Sequence, residues 1–182
     1  MRKKQNVYMS KKMLKFEIFV DVQDKRWEDN IAHLQALIES SKNALLEVVQ
    51  NDVWFLNKPK NFSINLALSD DKTVHALNKE FRKIDKPTNV LSFANVDDEF
   101  FEAELEQEQD ISLGDVIVAF ETMASQAEEL EVPFKDHFCH LCVHGMLHIL
   151  GYDHMKDDER SEMEALEIAI LKKLGIDNPY QE

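Results

Sequence analysis

The sequence predicts an α+β fold: a single domain with a small mixed sheet of about four strands covered by about five helices. Two observations carry this reading. Short stretches in which apolar and polar residues alternate are interspersed with longer stretches whose apolar residues recur at helical spacing. The chain has 182 residues, 44% of them hydrophobic, which suffices for one core, and neither an internal repeat nor a break in composition marks a second.

Leu14 to Val22 alternates as a strand, with Phe16, Ile18 and Val20 on one side. Trp27 to Val49 carries Ile31, Leu34, Leu37, Ile38, Leu45 and Val48 on one helical stripe. Phe62 to Leu68 alternates again. Ser69 or Asp70 then caps a helix over Asp71–Arg82, with Val74, Leu77 and Phe81 inward. Asn89–Phe93 is a short strand after Pro87. Residues 96–110 hold eight acids and no Lys or Arg and are expected to form an acidic surface loop. Asp115–Phe120 reads as a strand and Glu121–Leu130 as a helix. Pro133 opens a strongly helical stretch, Phe134–Leu150, that Gly151 ends. A last helix runs from Asp157 or Asp158 to about Leu174, stopped by Gly175. The domain is thus expected over residues 14–182. Residues 1–13 are basic but precede no clean apolar stretch, and read as a flexible arm rather than a signal peptide.

Lys and Arg total 21 against 35 Asp and Glu, a formal charge of −14, which argues against broad electrostatic binding of nucleic acid. Much of that acidity is local to residues 96–110, so a basic site elsewhere stays open. No apolar run reaches the length of a membrane helix, and a soluble, cytoplasmic protein is expected. Cys139 and Cys142 form a C-x-x-C within an apolar helical pattern. They lack a second pair or a strand-to-helix entry, and read as small core thiols in a reducing compartment.

The chemistry concentrates in His144-Gly-Met-Leu-His148-Ile-Leu-Gly151-Tyr-Asp-His154. His144 and His148 are four apart on a helix, so their rings leave one face. Gly151 lets the chain turn with positive φ, and His154 can return as a third ligand. Three imidazoles suit zinc, one ion per chain, and three protein ligands leave a fourth position for water, whose pKa such an ion lowers toward about 7. The spacing H-x-x-x-H-x-x-G-x-x-H is that of metzincin proteases, with one difference. Those enzymes place Glu, the general base, after the first His; here Gly145 stands there. His137 and His140 read as hydrogen-bonding or groove-lining groups rather than ligands, and His33 and His75 as surface residues.

A second dense segment is Arg82-Lys-Ile-Asp-Lys-Pro-Thr-Asn89. Arg82 offers a planar guanidinium suited to phosphate, and Pro87 stiffens a turn-forming loop. The alternative is a helix end with its cations near the C-terminal dipole. Asp115, after Leu113-Gly114, is open to two readings: it orients a histidine, or it simply starts a strand.

Taken together, HGMLHILGYDH at His144–His154, FRKIDKPTNVLSF at Phe81–Phe93 and SLGDVIV at Ser112–Val118 resemble the YbeY family of bacterial endoribonucleases. The resemblance runs from about Leu14 to the C-terminus, and departs at Ala94, where Pro is common, and in residues 96–110. It implies a zinc-dependent, single-strand-specific endoribonuclease acting in 3′-end maturation of small-subunit ribosomal RNA and in ribosome quality control. Its metal ligands fall on His144, His148 and His154 and its functional arginine on Arg82. The partners implied are single-stranded and ribosomal RNA and the small ribosomal subunit, with no DNA and no membrane. Attack by metal-activated water and attack by the RNA 2′-OH both stay open. Competing readings are a metalloprotease, a metal-dependent hydrolase of another substrate class, and a non-catalytic ribosome-assembly factor with a structural zinc.

Overall fold

Four strands, β1 (Lys15–Val22), β2 (Asn61–Ser69), β3 (Val90–Ala94) and β4 (Asp110–Ala119), form one open sheet in the order β1-β2-β4-β3. The computed structural model describes residues 14–181, so the expected arm at 1–13 lies outside the described residues. β1, β2 and β4 are parallel, and β3 runs antiparallel along the outer side of β4. Seven helices accompany the sheet: α1 (Arg26–Asn30), α2 (Leu34–Val49), α3 (Asp71–Arg82), α4 (Phe101–Gln107), α5 (Phe120–Glu129), α6 (Phe134–Ile149) and α7 (Asp157–Lys173). The α+β class and the four strands are as the sequence predicts. None of these helices is long and apolar enough to cross a membrane.

The sheet's two faces are covered unequally. Phe62, Ile64, Leu66 and Leu68 of β2 and Val116 and Val118 of β4 enter the large core, against α6, which α2 and α7 cover in turn. On the opposite face α3 closes a smaller cluster of Val74, Leu91, Ile117 and Ala119. Asp70 caps α3 as expected, its carboxylate accepting from the Thr73 N–H at 2.9 Å.

Three expectations need correction. The helix expected over Trp27–Val49 is two helices. The break falls where Ile31 is extended and buried and His33 is left-handed, at φ 56. Trp27 is tied to β2 by its indole N–H, which donates to the Ser69 carbonyl at 3.0 Å, so tertiary anchoring overrides local periodicity. Residues 96–110 are not an acidic loop. A 3₁₀ turn at Asn95–Asp97 leads to α4, and β4 begins at Asp110. The acids of α4 mask an i, i+4 apolar pair, Phe101 and Leu105, both buried; the Phe101 ring stands edge-on to Phe55 at 5.4 Å, and Phe55 in turn packs on Phe62. Finally, β4 starts five residues before Asp115. Ser63 pairs with Ser112 but Ile64 pairs with Gly114, so Leu113 is an extra residue in β4. That bulge breaks the period-2 pattern and hides the first half of the strand from a sequence reading.

α6 lies unusually close to the sheet. At Gly145 a methyl group would come within 2.7 Å of Val116 Cγ1 and 3.3 Å of Ser92 Oγ. The Ser92 hydroxyl donates to the Gly145 carbonyl at 3.2 Å, tying β3 to the helix at the same point.

Two substitutions test this packing. Phe101→Ala is expected to lower stability by about 3–5 kcal/mol, read by thermal or denaturant unfolding, whereas Glu102→Ala on the same helix should stay within about 0.5 kcal/mol; equal effects would mean that α4 is not docked. Gly145→Ala sets helix propensity, which favours Ala by about 1 kcal/mol, against overpacking of about 1–3 kcal/mol. A net loss of up to about 2 kcal/mol is expected, and a stabilised variant would show that α6 can move away from Val116.

Candidate metal centre

From His137 onward α6 is buried at every position except His140, His144 and His148. These three form one half-buried i, i+4 row, on the side of the helix turned away from the sheet and bordered by α7, whose Glu167 reaches His140 and His144. The row leads directly into the helix terminus. There the Gly151 N–H donates to the His148 carbonyl at 3.0 Å and the Tyr152 N–H to the Leu147 carbonyl at 3.1 Å, with Gly151 at φ 95. This paired reversal is the Schellman closure, which needs a residue tolerant of positive φ. It swings His154 back over the row, its ring centroid 5.4 Å from that of His144 and 5.0 Å from that of His148. One ring nitrogen from each of the three histidines lies within 4.8 Å of the others, so the cluster could hold a metal ion.

The tautomers of two of the three follow from their partners. Nδ1 of His148 lies 3.0 Å from the Tyr152 carbonyl, and Nδ1 of His144 lies 2.7 Å from Glu167 Oε1. A carbonyl and an ionised carboxylate only accept, so both Nδ1 atoms carry the hydrogen. In the neutral rings each Nε2 is a bare lone pair, and the two face one another at 3.2 Å. Two lone pairs at that distance repel unless a cation lies between them, so the donor set fits a metal ion. Burial, with His144 and His154 alongside, pushes His148 down to about 4, which keeps it in the neutral, ligating form.

Glu167 is the group that sequence reading missed. Burial pushes its carboxyl up, but hydrogen bonds from His140, His144 and Tyr180 outweigh this and hold it at about 2. Its signal was present in the sequence. Met163, Glu167, Ile170 and Leu171 are one buried stripe of α7, and an acid in the middle of an apolar stripe calls for a partner. His140 reaches Glu167 Oε2 at 2.9 Å and so braces the carboxylate that holds His144. His137 is buried and pushed down to about 4 by burial and by His140, with Gln126 Oε1 at 3.3 Å from its Nε2.

The cleft beside the histidines is lined by His144, His154, Arg160, Glu164, Glu167 and Tyr180. Arg82 is not among its lining residues. It stands exposed on the last turn of α3, whose helix ends at Lys83 in the left-handed region. The loop that follows is firmly held. Asp85 accepts from Lys79 and pairs with His75, both at 2.7 Å, and the Asn78 amide donates to the Lys86 carbonyl at 2.8 Å. Asp115 orients no histidine. It is exposed in β4 on the face away from α6, where it accepts from the Asn65 amide at 2.8 Å. Cys139 and Cys142 are free and buried, and burial raises both thiols, Cys139 to about 11.

The chain is similar to proteins named endoribonuclease YbeY. One, from Rhodospirillum rubrum, is 42% identical over 161 residues, covering 88% of this chain and 80% of its own length. Another, from Sinorhizobium fredii, is 39% identical over 170 residues, covering 92% and 94%. A third, from Paramagnetospirillum magneticum, is 54% identical over 119 residues, covering 65% and 71%. The solution structure of a Thermotoga maritima protein shares the fold, with a TM-score of 0.51 and 20% identity over 91% of this chain and all of that one. The family model for endoribonuclease YbeY matches residues 22–175. On this match and these relatives, the chain belongs to the endoribonuclease YbeY family.

Proposed function

We propose that this protein is a zinc-dependent, single-strand-specific endoribonuclease that acts in 3′-end maturation of small-subunit ribosomal RNA and in ribosome quality control. The observation that carries the metal part is the facing pair of Nε2 atoms. Two nitrogens bound to a tetrahedral zinc at about 2.0–2.1 Å lie roughly 3.3 Å apart, and those of His144 and His148 are 3.2 Å apart. His154 completes a set of three neutral donors. Such a set leaves the full charge of a divalent ion available to the substrate. When bound, the ion supplies Lewis acidity toward a phosphate oxygen or a water molecule.

The chain's own groups do the rest. His144, His148 and His154 hold the ion, and Glu167 and the Tyr152 carbonyl fix two of the rings. Arg82 stabilises charge on the phosphate oxygens, and Arg160, which lines the metal cleft, is a second guanidinium available to an RNA phosphate. Peptide hydrolysis by the metzincin route is disfavoured on packing grounds as well as by composition. At position 145 even a Cβ would lie 2.7 Å from Val116 Cγ1, so a side chain as large as Glu would overpack the contact between α6 and the sheet. The charge of −14 gives weak general attraction for RNA, and docking on the small ribosomal subunit would supply the specificity. Action on ribosomal RNA belongs in the cytoplasm.

Cleavage of single-stranded and duplex RNA, with and without EDTA, tests this reading. Single strands should be cut and duplexes spared, and EDTA should abolish cutting. His148→Ala should lose both stoichiometric zinc and cleavage; a variant that kept its zinc would remove His148 from the ligand set. Arg82→Ala should retain zinc and lose about 10²-fold or more in cleavage rate, and an unchanged rate would take Arg82 out of the reaction. Product ends identify the nucleophile: a 2′,3′-cyclic phosphate beside a 5′-hydroxyl means attack by the 2′-OH, and a 5′-phosphate beside a 3′-hydroxyl means attack by water.

A further inference from the structure

Beyond α7 the chain does not leave the metal centre. Gly175, at φ 73, ends the helix, and the Ile176 N–H closes it on the Leu171 carbonyl at 3.0 Å. The chain then makes a tight turn at Asn178-Pro179-Tyr180. The Asn178 side chain accepts from the Tyr180 N–H at 2.9 Å, a local closure that Pro179 stiffens. This turn lays Tyr180 along α6. Its ring stands edge-on to His140 at 5.6 Å, and its hydroxyl donates to Glu167 Oε2.

Glu167 therefore has its two oxygens engaged on different tasks. Oε1 accepts from His144 Nδ1, while Oε2 accepts from the Tyr180 hydroxyl and from His140 Nε2. The carboxylate is 1% exposed, so no bulk water stands in for a lost donor. Its plane, and with it the direction of Oε1, is set by what holds Oε2. His140 Nε2 and the Tyr180 hydroxyl meet that oxygen together, 3.3 Å from one another.

We propose that Tyr180 is a positioning residue of the metal centre: its hydroxyl clamps Glu167 Oε2 so that Oε1 keeps His144 in the tautomer and ring orientation that turn Nε2 toward the ion. The C-terminal turn is then part of the site and not a trailing end. This inference rests on the metal reading above and adds a residue that touches no ligand atom of the ion. Carboxylates and other acceptors behind metal-binding histidines typically change affinity by about 10–100-fold when removed.

The test uses the full chain as wild type, Tyr180→Phe and Glu167→Gln. Phe keeps the ring against His140 and removes only the hydroxyl. Each protein is loaded with zinc and mixed with excess chromogenic chelator to time release, and separately loaded with cobalt to record its visible ligand-field spectrum. Tyr180→Phe is expected to release zinc about tenfold faster than wild type, with shifted cobalt bands, while the metal-free variant unfolds at the wild-type temperature. Glu167→Gln should do the same more strongly, up to about 100-fold. A Tyr180→Phe protein with wild-type release and an unchanged cobalt spectrum would overturn the proposal and leave the three-histidine centre standing. Faster release with an unchanged cobalt spectrum would also overturn it, since that pattern means general loosening and not a reoriented ligand. A wild-type chain that takes up neither metal would instead sink the centre itself.

Discussion

Gly145 lets α6 rest directly on the Val116 and Ser92 side chains of β4 and β3, and the orientation of the row His140, His144 and His148 follows from that approach. A helix places successive residues about 100° apart, so fixing the face at Gly145 and Val116 fixes all the others. The residues flanking the contact are buried against the sheet, α2 and α7, and the one row left half-buried is His140, His144 and His148. Had a larger residue stood at 145, the helix would have to lift or roll, and the row of imidazoles would turn with it. The residue that removes a protease base from the motif is thus also the one that sets the helix in place.

The electrostatic logic of the centre runs outward from the three imidazoles in layers. They contribute no charge, so the nearest formal charge is the buried carboxylate of Glu167. Burying a lone carboxylate is costly, and this one is kept ionised by three donors, His140, His144 and Tyr180. It leaves no unsatisfied side-chain polar atom behind, and none is found buried among the described residues. The result is a buried acceptor behind His144 and a backbone carbonyl, that of Tyr152, behind His148. Helix terminus, turn and last helix each contribute one piece.

The two motif segments of the chain, around Arg82–Asn89 and His144–His154, are linked through α5. The Asn89 amide donates to Gln126 Oε1 at 2.8 Å, and the same oxygen is 3.3 Å from His137 Nε2, one turn before His140 on α6. Together with the Asp85 and Asn78 contacts, this holds the loop after Arg82 in one conformation relative to the histidine helix. A guanidinium that is to stabilise charge on a phosphate needs such a held loop, because a misplacement of about 1 Å can cost on the order of 10²-fold in rate. The acids of α4, by contrast, are an outer coat over Phe101 and Leu105. They lie on the solvent side of a helix that docks by its two apolar side chains.

What the sequence determined by itself is whatever depends on short spacing. The i, i+4 histidine pair, the Gly151 reversal and the return of His154 lie within eleven residues, and local backbone geometry leaves them little choice. The α+β class and the span of α3 were legible for the same reason, since helix and strand periods repeat over a few residues. Where tertiary contacts interrupt the period the sequence was mute or misleading: at the bulge of Leu113, at the break after Asn30, and in α4, where charge concealed two anchoring side chains. Only the tertiary structure decided what stands behind the three histidines. Glu167 is 23 residues from His144 and Tyr180 is 40 from His140, and no local rule joins them. They meet because α7 packs along α6 and the chain folds back at Gly175, a placement set by burial across the whole core rather than by the residues of the motif.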